Sequence, residues 1–158
     1  MNQNKRIKFF SFYGCKDEGQ RRDNSPAADT KIDYIVSVLN RCGYGVDIIS
    51  RASGAESHFI SALVKTEGEN SYRYFGSFSK TTSPLRIVYR WFIELQFFIW
   101  CLINIVNGEQ IIVYHSLGYD ATFLKLRKLK SVRIIGEIEE IYQDVSKQPT
   151  QKCHNEYK

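Results

Sequence analysis

The sequence predicts an α/β domain: a Rossmann-like open parallel sheet with helices on both faces. Three observations carry this. First, Gln110 to Tyr142 (QIIVYHSLGYDATFLKLRKLKSVRIIGEIEEIY) runs through an apolar stretch, a helical pattern and a second apolar stretch. That order is a βαβ unit, which crosses over right-handed and gives two parallel strands. Second, both stretches, Ile111 to Tyr114 and Val132 to Ile135, are continuously apolar, as in strands buried on both faces. Third, the same strand, helix, strand order already occurs between Ile7 and Ser50. Polar groups follow each late strand directly: His115 and Ser116 after one, Glu137, Glu139 and Glu140 after the other. Open parallel sheets bind ligands at the carboxyl ends of their strands, so these are the leading functional candidates.

Taken in order, Ile7 to Tyr13 (IKFFSFY) is a strand with only Ser11 polar, suited to a central position. Gly14 to Asn24 is a polar loop carrying Gly14 and Gly19. It fits neither G-x-G-x-x-G nor a P-loop, but it follows a strand and leads into a helix N-terminus, where backbone N–H groups favour anions. Ser25-Pro26 is an N-cap with proline in the first turn, and Ile32, Ile35, Val36 and Leu39 form one helical face closed by Gly43. Val46 to Ser50 is the second strand. Phe59 to Val64 reads as a short strand or helix, Glu67 to Asn70 as a turn, and Tyr72 to Phe78 as a third strand near a sheet edge. Its mix of Tyr72, Arg73 and Tyr74 is the pattern of a half-exposed strand rather than of a single-stranded nucleic-acid site.

Ser83-Pro84 opens a long helix that ends before Gly108. Leu95 to Val106 is almost unbroken in apolar character, yet Arg86, Arg90 and Glu94 leave the run too short to span a bilayer. Arg90, Glu94, Phe97, Cys101 and Asn104 share one face, and the remaining surface is expected to pack on the sheet. This reads as a core helix; the sharper expectation is that Phe97 and its neighbours touch a partner domain or a membrane surface.

The chain has 158 residues, 43% hydrophobic and 25% charged, enough for one α/β domain with a real core. A net charge of +5 would suit nucleic acid, an anionic membrane or a phosphorylated substrate, but is also ordinary for solubility. Nucleic acid is not expected as a partner, because the basic residues of 125–133 fall on one short helix with a solvated face. The four cysteines, Cys15, Cys42, Cys101 and Cys153, are far apart, with Cys42 and Cys101 in apolar helical patterns near the core. With no signal peptide in view, a cytoplasmic location is expected. Cys153-His154 lacks companions at ligand spacing, so no metal site is expected.

These segments together resemble the N-terminal, acceptor-side domain of a GT-B glycosyltransferase of the large retaining family 4. The resemblance rests on IKFFSFYG with its polar loop, SPAADTKIDYIVSVLNRCGYGVDIIS, the apolar helix, IIVYHSLGY and RIIGEIEEIY. It implies a domain over residues 1–146 and a polar tail, 147–158, that starts the connection to a missing donor-binding domain or partner chain. It implies transfer of a sugar from a nucleotide-sugar donor to a glycan or lipid-linked acceptor, with no bound cofactor or metal. Bacterial surface polysaccharide biosynthesis is the setting it most often implies, with peripheral contact at the inner face of the membrane. By position, His115 would lie near the reacting sugar as the catalytic candidate. Gly14, Gly19, Asn24, Ser116, Glu137, Glu139 and Glu140 would border the acceptor. Many relatives carry histidine or aspartate where this chain has the glutamates. Without the donor half, no transfer is expected from this chain alone. The alternative is a non-catalytic Rossmann-like module that binds a small ligand or a protein partner.

Overall fold

The computed structural model describes residues 5–14, 22, 25–54, 59–78, 86–114 and 120–137. Within them the chain forms β1 (Lys5–Ser11), α1 (Pro26–Arg41), β2 (Tyr44–Ser50), β3 (Leu63–Glu67), β4 (Asn70–Tyr74), α2 (Arg86–Asn104), β5 (Gln110–Tyr114), α3 (Asp120–Lys130) and β6 (Arg133–Glu137). The strands make one sheet in the order β3-β4-β2-β1-β5-β6. All neighbours pair in parallel except β3 and β4, which are antiparallel. The fold is α/β and Rossmann-like, with a mostly parallel sheet.

The layers follow from β1, the central strand. Adjacent strand residues point to opposite faces, so Phe9 and Phe10 enter different cores. Phe9 packs with Ile32, Val36, Val46, Ile48 and Tyr114 beneath α1. Phe10 packs with Ile49, Phe97, Cys101, Val113, Phe123 and Leu126 beneath α2 and α3. The Phe10 ring meets Phe97 and Phe123 edge-on, at centroid distances of 5.8 and 5.1 Å, and Phe75 meets Phe97 the same way at 5.5 Å. Each such pair adds about 1 kcal/mol beyond the area it buries. Burial lifts the Cys101 thiol to about 12, so it behaves as a small apolar residue.

α1 begins at Pro26 with Ser25 in extended conformation, and Gly43 follows its end at φ +81°, a backbone shape that disfavours any Cβ. Cys42 is exposed at this cap rather than near the core. β5 is flanked on both sides and inward-packed, as its apolar run predicts. β6 departs from that expectation. It pairs only with β5 among the described residues, and Ile135 is 43% exposed. A continuous apolar run therefore marks both an inner strand and an edge strand here.

The region after β2 also differs from expectation. The third parallel strand is Asn70–Tyr74, and Leu63–Glu67 precedes it as an antiparallel edge. The turn between them is Gly68-Glu69, with Gly68 at φ +59°. Positive φ at the first loop position alone is the pattern of a type II′ hairpin. Phe75 to Ser77 runs on past the strand, and Ser77 bridges Ile60. The Arg73 guanidinium lies 5.4 Å from the Trp100 ring centroid.

The largest correction concerns α2. The face carrying Glu94, Phe97 and Cys101 packs on the sheet, and the side opposite it is exposed, the reverse of the expected orientation. Arg51, at the end of β2, explains it. Its guanidinium pairs with Glu94 and covers the Phe97 ring at 5.2 Å, so the polar start of this face is satisfied inside. Phe97 is fully buried and cannot itself touch a partner or a membrane.

A second ion pair joins β1 to β2. Arg6 Nε donates to Asp47 Oδ1 and Oδ2 at 3.1 and 3.2 Å, and Ser71 Oγ of β4 donates to the same carboxylate at 2.5 Å. Burial pushes the Asp47 carboxyl up, but the hydrogen bonds and charge of Arg6, with Ser71, bring it below its ordinary value. A depressed carboxyl stabilises the fold above the ordinary carboxylate range and loses that contribution as pH falls through the folded value. Asp47→Asn should therefore flatten the loss of thermal stability below about pH 4, measured by melting from acid to neutral pH.

Candidate functional site

The strand order reverses between β1 and β5, and ligands of open α/β sheets sit at the carboxyl ends on either side of such a reversal. On the β1 side the chain leaves Ser11 and runs through Phe12 and Tyr13 to Gly14. Tyr13 and Gly14 are buried and tied in from several directions. The Gly14 N–H donates to Asp29 Oδ1 at 3.0 Å, from the first turn of α1. Its carbonyl accepts from the Tyr74 hydroxyl at 3.3 Å, at the end of β4. The Tyr13 carbonyl accepts from Ser50 Oγ at 2.7 Å, at the end of β2. The Tyr13 hydroxyl donates to Asp33 Oδ1 at 2.5 Å, one turn further along α1. Burial, with the hydrogen bond and charge of Asp33, pushes the Tyr13 phenol well above the usual tyrosine range.

Arg22, between β1 and α1, is buried. Its Nη1 donates to the carbonyls of Ala52 (3.0 Å) and Phe75 (2.7 Å), and its Nη2 to that of Ser61 (2.9 Å). The guanidinium also lies 5.1 Å from the Tyr74 ring centroid. A planar fork with five donors is the side chain that can collect three carbonyls from three segments at once. Arg22 itself thus sits against the segments that follow β2 and β4.

Chemically this turn presents carboxylates. Asp29 is buried beside Gly14, and Asp33 is half-buried beside Tyr13. The first turn of a helix favours negative charge, and here a side chain supplies it. Among the described residues, the side chains at this turn include two carboxylates, each accepting a hydrogen bond from the turn itself.

On the β5 side, Tyr114 is the last described residue, and the register pairs it with Glu137 at the end of β6. The two strands run parallel, so their carboxyl ends stand side by side, as the sequence reading requires of residues 115 and 137. His115, Ser116, Gly19, Asn24, Glu139 and Glu140 lie outside the described residues, as does the Glu137 side chain. Of the sequence candidates, Gly14 is the one whose surroundings are described in full. Tyr13, Asp29, Asp33 and Arg22 were not legible as site residues. An acidic residue in the first turn of α1 was a usable signal for Asp29; nothing local marks Arg22, whose acceptors lie 30 to 53 residues away in sequence. Among the described residues no cluster of three or more His, Cys, Asp or Glu could hold a metal ion. No family model matches the chain, and no curated protein matches it.

Two outcomes follow from the ties at this turn. Arg22→Lys should lower stability by about 2 kcal/mol in urea unfolding, since a compact ammonium cannot span the Ala52, Phe75 and Ser61 carbonyls as the guanidinium fork does. Tyr13→Phe should cost about 1 kcal/mol at neutral pH. A raised phenol contributes fully below the ordinary tyrosine range and loses its contribution as pH rises toward the folded value. The difference between Tyr13→Phe and the native chain should therefore shrink above about pH 10.

Proposed function

We propose that this chain is the acceptor-binding half of a retaining glycosyltransferase, holding a glycan or lipid-linked acceptor at the rim formed by β1, β5 and β6. The observation that carries the reading is the Asp29 carboxylate, buried against the Gly14 N–H at the turn from β1 into α1. In nucleotide-binding Rossmann sheets this turn cradles a phosphate on a helix N-terminus. Here a carboxylate already occupies that place, and it repels a second anion while accepting from sugar hydroxyls. The sequence resemblance supports the same side of the enzyme, with the nucleotide-sugar donor held by another domain or chain. Transfer needs donor and acceptor in near-attack geometry, and the proposed half supplies one wall of that cleft. Within this reading His115 stands nearest the reacting sugar, and the glutamates after β6 accept from acceptor hydroxyls.

The test is direct. The chain alone is incubated with a panel of nucleotide sugars and should neither hydrolyse nor transfer them. NMR titration with soluble glycan fragments should shift the Tyr13 and Gly14 resonances, and Asp29→Asn should weaken that binding on the order of tenfold, through loss of a charge-assisted hydrogen bond. Turnover of a nucleotide sugar by the chain alone would overturn the half-enzyme reading. So would nucleotide-induced shifts around Gly14 with every glycan silent.

A further inference from the structure

The outer side of α2 is apolar along its whole length. Val88, Phe92, Leu95, Ile99 and Ile103 recur at steps of four and three, on the side opposite Phe97 and Cys101, and all are exposed. Ile103 is 75% exposed, and Trp91 at the rim of this stripe is 72% exposed. On this 19-residue helix the stripe from Val88 to Ile103 is about 22 Å long. Contiguous apolar surface on that scale marks an interaction site rather than ordinary surface.

α3 lies beside α2 on the same face of the sheet, because Phe123 and Leu126 enter the same core as Phe97 and Cys101. Its outward positions are Leu124, Lys125 and Lys128, all exposed. The Lys125 ammonium lies 5.9 Å from the Phe98 ring centroid, so positive charge borders the apolar stripe. The 11 residues of α3 carry Lys125, Arg127, Lys128 and Lys130 against the single acid Asp120.

We infer that the outer face of α2 and α3 docks on the surface of an anionic lipid bilayer, with α2 lying in the interfacial plane. An apolar stripe with a tryptophan at its edge and lysines beside it matches the boundary between acyl chains and negative headgroups. Although Ile87–Asn104 is long and apolar enough to cross a membrane by composition, its inner face is committed to the sheet through Phe97, Cys101 and the Arg51–Glu94 pair. The helix therefore lies along the membrane instead of through it. A second copy is the poorer occupant, since pairing α2 with α2 would bring two cationic α3 helices toward one another. The inference does not rest on the acceptor-half reading.

The experiment is co-sedimentation of the full chain with vesicles of phosphatidylcholine alone or mixed with phosphatidylglycerol, beside light scattering without lipid. The native chain should sediment with the mixed vesicles, weakly with the neutral ones, and added salt should lower the first without abolishing it. Leu95→Glu with Ile99→Glu should abolish both. Lys125→Ala with Lys128→Ala should weaken only the anionic component, on the order of tenfold. Tyr34→Glu, on the exposed side of α1 across the sheet, should change nothing. These changes are at exposed positions, and the salt series needs no variant. Failure of the native chain to bind mixed vesicles overturns the inference. So does a dimer without lipid that Leu95→Glu with Ile99→Glu dissociates while vesicle binding stays absent or unchanged.

Discussion

Two adjacent phenylalanines at the centre of the sheet determine most of this molecule. Phe9 and Phe10 are both fully buried, and strand geometry sends them to opposite sides. Each is the middle of a separate core, so β1 must be covered above and below. One cover is α1; the other is α2 with α3. With both cores fixed on β1, the strand's carboxyl end is fixed too, and the turn through Tyr13 and Gly14 inherits that position. Stability and site geometry therefore share one origin.

The rim is shaped by polar ties that would be costly anywhere else. Backbone groups leaving the ends of parallel strands need partners once buried. Here Asp29, Ser50, Tyr74 and Arg22 provide them, drawn from a helix, two strand ends and a loop. The same ties bring two carboxylates, Asp29 and Asp33, to the turn, each hydrogen-bonded to a residue of the turn itself. Arg51 extends the scheme to the other face, where its pairing with Glu94 decides which way α2 is rolled.

Much of the architecture was legible because its signals are local. Ser25-Pro26 and Gly43 bracket α1, and the apolar runs of 111–114 and 132–135 mark two parallel strands at the right spacing. The failures are also instructive. α2 is apolar on both sides, so periodicity alone cannot say which side meets the sheet; the deciding partner, Arg51, is 43 residues from Glu94. The hairpin of β3 and β4 was obscured because Phe75 to Ser77 stays buried after the strand ends. At the site, Gly14 was found from its place after a strand, whereas Arg22 acts through carbonyls that no sequence pattern advertises. His115 and the glutamates at 139 and 140 are legible as candidates by position, and the parallel register of β5 and β6 is as far as their surroundings are described.

The two margins of the sheet are unlike each other. β3 is closed by a tight hairpin and carries Lys65 and Glu67, paired at 2.8 Å, on its exposed length. Such charges discourage a foreign strand from adding there. β6 is apolar at Ile134 and Ile135 and, among the described residues, is paired on one side alone. Fibre growth needs two adhesive borders on every unit, whereas a molecule with one can only meet its twin across a two-fold axis and stop. Among the described residues the sheet thus offers a single adhesive border, which favours pairs over fibres.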